Sequence, residues 1–160
     1  MLRTIGAAFM AAVLGGRVAS AGDAGSYDPF RHYDRAMNVL LVWGGTSMAA
    51  GVPMLFNDDG RVRRIGTQNV LWGGINTALG IGAKILNSRS VGRTSAFDKI
   101  RSFRRAMVIN GMLDVGYIGT GIALMTLGKT DRLKATGLGF TIQGSFLLGF
   151  DWVNFGLTYR

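Results

Sequence analysis

At 160 residues the chain is one domain with 48% apolar residues, a mean hydropathy of +0.26, 25 glycines and a formal charge of +9. It has no cysteine, which excludes disulfides, thiolate catalysis and Cys-held metal or iron–sulfur centres. Its one histidine, His32, lies outside every long apolar run, which excludes a haem held by two histidines of one chain and disfavours His-ligated chlorophyll there.

Residues 1–21 read as a targeting segment: Arg3 gives a positive start, 5–16 is a short apolar run, and Ala19-Ser20-Ala21 is a small-x-small cleavage site. A mitochondrial presequence is the alternative, because the first 22 residues hold two arginines and no acid. Loss of the segment through Ala21 removes Arg3 and Arg17 and leaves +7. Residues 22–36 form a polar tail with Tyr27, Phe30 and Tyr33 at three-residue spacing, placed for the headgroup level or loosely ordered. Asp28-Pro29 starts either a turn or a helix.

Four apolar stretches follow, at about 37–56, 69–86, 106–127 and 135–157. Each is long enough, at ~1.5 Å per residue, to cross a hydrocarbon core of ~30 Å. A soluble Gly-rich α/β protein is the competing fold, but parallel strands are far shorter than these runs. Most glycines lie inside the stretches, where they let backbones approach closely. Gly74, Ala78 and Gly82 form a small-residue stripe at spacing four, as do Gly137, Thr141, Ser145 and Gly149. Such stripes pack helices within one bundle or seam a homo-oligomer. Trp43-Gly44-Gly45-x-x-x-Ala49-x-Gly51 matches Trp72-Gly73-Gly74-x-x-x-Ala78-x-Gly80 at an offset of 29. The match marks a duplicated hairpin or is chance in a Gly/Ala-rich chain. Pro53 implies a kink or an early stop.

The connections carry the charge. Asn57-Asp58-Asp59-Gly60 is a turn, followed by Arg61, Arg63 and Arg64. Ser95-x-x-Asp98 is a capping box that opens a short helix. Phe97, Ile100 and Phe103 take one face of it, with Lys99, Arg101, Arg104 and Arg105 flanking and Arg93 just upstream. The pattern is that of an interfacial amphipathic helix between spans two and three, its basic side on lipid headgroups, or of a partner-docking segment. Basic residues beside apolar runs point to anionic lipid rather than nucleic acid. A cleaved leader places the N-terminus outside, whereas the positive-inside rule places the basic middle connection inside. Orientation stays open between the two.

Two acids fall inside spans, and an intramembrane acid is a functional hypothesis by default. Asp114 lies nine residues after Arg105 and Asp151 nine before Arg160. Both sit ~13 Å from the same side, because spans three and four are antiparallel. Asn110 and Tyr117 share the face of Asp114, Asn154 and Gln143 that of Asp151, and Asn76 lies near the middle of span two. No lysine or arginine matches their depth. Two close carboxyls without a cation share a proton. The cluster is then a neutral knot that fixes helix register, a proton or cation site, or the polar end of a lipid or quinone pocket.

The segments Asn110-x-x-x-Asp114-x-x-Tyr117 and Gln143-Gly144…Phe150-Asp151, with Trp72-Gly-Gly-Ile-Asn76 upstream, resemble a family of small bacterial membrane proteins known only as a domain of unknown function. The resemblance covers about residues 35–157. It implies an inner-membrane four-helix fold with an outside N-terminus, and it supplies no activity and no catalytic residue.

The expected fold is therefore an all-α, four-helix transmembrane bundle. The expected function is non-enzymatic, a structural or accessory component of a membrane assembly. The alternative is a small transport or lipid/quinone-binding protein that uses Asp114 and Asp151. No cofactor or metal is expected. Membrane lipids and a homo-oligomer or larger complex are the expected partners. The bacterial inner membrane is the expected location, with the mitochondrial inner membrane as alternative.

Overall fold

The computed structural model describes residues 27–159, so the targeting segment, the start of the polar tail and Arg160 lie outside the described residues. The described chain is four α-helices and no strand: α1 (Pro29–Met54), α2 (Gly60–Ser90), α3 (Ala96–Leu127) and α4 (Asp131–Leu157). Each helix starts where a side chain can take the orphan N–H groups of a first turn. Asp28 accepts from Phe30 and Arg31 N–H, Asp59 from Arg61, Ser95 from Asp98 and Thr130 from Leu133. Asp28-Pro29 thus starts a helix, with proline in the first turn, where its missing N–H costs nothing. Pro53 ends one: α1 stops a residue later. Gly92, at φ +75°, makes the turn between α2 and α3.

The short amphipathic helix expected before span three is not separate. It forms the first turns of α3, because no glycine or proline interrupts residues 96–110. Its aromatics divide: Phe97 is exposed, whereas Phe103 is buried against His32 and Tyr33. Among the described helices, α3 alone is long and apolar enough by composition to count as a membrane span. Glycine and polar residues dilute the others, as Gly73, Gly74, Asn76 and Thr77 do in α2.

α1 packs along α2 and α3 along α4, and the two hairpins meet mainly through α2 and α4. Glycines set the approach within each hairpin. A Cβ on Gly44 or Gly73 would strike the other's carbonyl, as would one on Gly51 or Gly66. Gly121 and Gly137 face each other in the same way in the second hairpin. The seam glycines of α2, Gly66, Gly73 and Gly80, recur every seven residues, the period that keeps one helix edge on its neighbour. The expected stripe does not form this seam. A Cβ on Gly74 or Gly82 meets nothing, and Ala78 is exposed. In α4, Gly137 packs on α3, while Ser145 is exposed and Gly149 is open.

The two hairpins share a sequence pattern. Tyr27-Asp28-x-Phe30-Arg31-x-Tyr33-x-Arg35-Ala36-Met37 recurs as Phe97-Asp98-x-Ile100-Arg101-x-Phe103-x-Arg105-Ala106-Met107, 70 residues on. Gly51 maps to Gly121 at the same offset, and Gly66 and Gly73 map to Gly137 and Gly144 at 71. The offset-29 likeness has another origin: its two copies lie opposite each other, Gly44 against Gly73. An apolar core of Ala36, Met37, Leu40, Phe103, Met107 and Phe150 joins the hairpins toward the end where α1 and α3 begin.

Candidate functional site

The polar residues expected to cluster divide into separate groups. In one, Gln143 Oε1 accepts from Trp43 Nε1 at 2.8 Å, while Asn76 Nδ2 and Ser47 Oγ lie 3.5 Å from the Gln143 amide. Trp43 stacks on Phe146, with centroids 3.9 Å apart, and fills the gap between α1 and α4. Gln143 and Asn76 are each 1% exposed, so the amides of this group are buried, while Trp43 is half-buried at its edge. Asn154 stands apart, with Nδ2 bonded to the Phe150 carbonyl of its own helix.

In the second group, Asp114 of α3 and Asp151 of α4 bring their carboxyls within hydrogen-bonding reach of each other, and both are 3% exposed. Among the described residues, no other N–H or O–H is bonded to either carboxyl, and Asp114 Oδ2 is sealed without a partner. Two carboxyls in contact with no cation hold a proton between them.

This pair lines a cavity of about 360 Å³ between α2 and α3. Tyr33, Trp72, Tyr117 and Phe150 give it aromatic walls; Asn76 and Asn110 also border it. Trp72 meets Tyr117 edge-on at 5.1 Å and Phe140 at 5.6 Å. Ile75 and Leu79 of α2 and Asn110 and Leu113 of α3 are exposed lining residues, so they form its mouth. This hollow lies at Asp114 and Asp151. A larger one, about 590 Å³, is a charged surface cleft where α2 and α4 begin, lined by Arg61, Arg63, Arg64 and Arg132 with Asp59 and Asp131. Its ion pair, Arg61 with Asp131 at 3.8 Å, is exposed and weak.

The expected headgroup contacts also divide. Arg93, Arg101 and Arg105 are exposed at the end where α1 and α3 begin. Lys99 and Arg104 instead serve the fold. Lys99 Nζ lies 4.0 Å over the Tyr33 ring, and burial lowers its pKa from the ordinary lysine value. Arg104 Nε donates to Thr158 Oγ1 at 2.7 Å and Nη2 to the Thr158 carbonyl at 2.6 Å, which caps the C-terminus of α4 with a cation. On the facing helix pair, Lys84 bridges Asp34 at 2.9 Å and Asn38 at 2.5 Å, and Asn87 donates to the Phe30 carbonyl. His32, wedged against Tyr27 and Phe103, has its pKa lowered by burial, then by Arg35, with the Asn154 carbonyl opposing.

Trp43, Ser47 and Trp72 were not among the candidate residues. Their roles depend on which helices become neighbours, and the one signal in the sequence is a tryptophan beside paired glycines in each of α1 and α2. Among the described residues, no group of histidines, cysteines and acids is placed to hold a metal.

No curated protein and no solved structure matches the chain. A family model does, over residues 39–152, a range that includes Trp43, Trp72, Asn76, Asp114, Gln143 and Asp151. The chain therefore belongs to DUF6992, a family of unknown function.

Proposed function

We propose that the chain is an integral membrane protein whose four helices all cross the bilayer, and that it acts without catalysing a reaction, as a structural or accessory component of a membrane assembly. One observation carries the reading: large apolar side chains cover the outside of every helix, while amides and acids are buried beside the apolar core. The largest fully buried side chains are Gln143 and Asn76, while Val42, Leu79, Met112 and Trp152, one from each helix, are 60–71% exposed. In water, apolar surface of that extent drives aggregation. In lipid it has its proper solvent, and the buried amides and acids bind helices together. The accessory role draws on the open small-residue faces at Gly74, Ala78 and Gly82 and at Ser145 and Gly149, which leave room for another helix.

Purified in mild detergent and weighed intact, the protein should emerge with a second copy or a stoichiometric partner. Gly74→Leu should release that partner without lowering the melting temperature. A protein that is always alone, with or without the substitution, defeats the accessory role. The acid-lined cavity favours a second reading, ligand binding at Asp114 and Asp151.

A further inference from the structure

We propose that the cavity between α2 and α3 binds a lipid-soluble molecule whose polar end is a hydrogen-bond donor, a hydroxyl or an ammonium, and that the molecule enters sideways from the bilayer. The inference rests on the four-span reading.

The head chemistry follows from what lines the hollow. Asp114 and Asp151 are both buried there, and apart from each other the described chain gives neither carboxyl a donor, leaving Asp114 Oδ2 unmet. With one proton held between them, the pair still offers acceptor oxygens, and a buried acceptor left unmet costs about 1–3 kcal/mol. A ligand O–H or N–H meets that need. No lysine or arginine lines the cavity, so a phosphate or carboxylate head would stand beside two acids without a counter-charge. Trp72 and Tyr117 supply flat apolar walls, which suit a ring or a cation equally.

The entry route follows from helix packing. Each hairpin is tight inside, the α1/α4 gap is filled by Trp43 on Phe146, and the α2/α3 gap holds the cavity. Leu79 and Leu113 at its mouth are exposed, on the surface that faces lipid in the four-span reading.

The internal repeat separates this role from helix docking. Asp114 corresponds to Gly44 at offset 70, and Asp151 to Gly80 at offset 71. The first hairpin packs its two helices with glycine at both places. Two acids are therefore not needed to close such a hairpin, and only the second copy carries them.

The test uses the full chain in carbonate-washed membranes and then in lipid nanodiscs. Three probes share one chain and differ in the head: hexadecanol, hexadecylamine and hexadecyl methyl ether, which cannot donate. Bound probe is counted by native mass spectrometry. At least tenfold tighter binding of the alcohol or the amine than of the ether is expected, and the tighter of the two names the head. Asp114→Asn with Asp151→Asn should abolish that preference at unchanged helicity. Leu79→Trp should weaken all three probes by closing the mouth, with the acid pair intact. Equal binding of ether, alcohol and amine overturns the inference in the native chain, whether or not the double variant folds. A preference that survives the double variant also overturns it. Release of the protein by carbonate overturns the four-span reading itself, whereas a retained protein with no preference overturns the ligand alone.

Discussion

His32 and Arg104 stand at the same end of the bundle and make opposite electrostatic demands. His32 is held neutral: its folded pKa lies below the unfolded value of 6.5, chiefly through burial. The unfolded chain therefore binds more protons as pH falls, and stability present above about pH 6.5 is lost as pH drops toward the folded pKa. Thermal melts in detergent from pH 7.5 to 5 should show a falling midpoint for the native chain and a flatter profile for His32→Gln. Equal slopes remove His32 as the cause. Arg104 brings a cation to the end of α4, which it holds through Thr158. Arg104→Met keeps the stem and loses both bonds, with an expected cost of about 1.5–3 kcal/mol. Asn154 and Gln143 looked equivalent as in-span amides, yet one bonds its own helix and the other joins three helices. Residue type shows that an amide must find a partner; it does not say which.

At the scale of the helix, start signals are local: Asp28-Pro29 and Ser95-x-x-Asp98 are legible as such, whereas Asp59 reads as part of a turn and Thr130 carries no reading of its own. Asp28-Pro29, Asp59, Ser95-x-x-Asp98 and Thr130 each act within three residues of themselves. The seam is not local. Gly73 and Gly74 are adjacent in sequence and both small, but a Cβ on Gly73 would lie against the Gly44 carbonyl and Met48, while one on Gly74 meets nothing. Gly73→Ala should cost about 1–3 kcal/mol by overpacking, and Gly74→Ala should be neutral or stabilising by up to ~1 kcal/mol. Paired unfolding curves in one detergent check this, and similar losses at both sites contradict the seam. The basic start of α3 was legible as an amphipathic helix. That Phe103 turns to the core and Phe97 away from it depended on α1 being the neighbour.

For the whole molecule, the four-span proposal places the starts of both hairpins on one side of the membrane. Residues 58 and 130 then share a face, and residue 94 lies on the other. The native chain has no cysteine, so Asp58→Cys, Thr130→Cys and Thr94→Cys can be labelled singly against a clean background. An impermeant thiol reagent on intact membranes should reach the first two together or the third alone, and any other pattern rejects four spans. Four helices follow from the sequence by itself, through the four apolar stretches, although each helix begins four to ten residues before its stretch. Helix formation depends on neighbours a few residues away. Only the tertiary structure decided which glycines touch, that Trp43 fills one gap while the opposite gap holds a cavity, and that Asp114 and Asp151 meet on its wall. Each of these depends on the register and rotation of helices far apart in the chain, which side-chain packing alone sets.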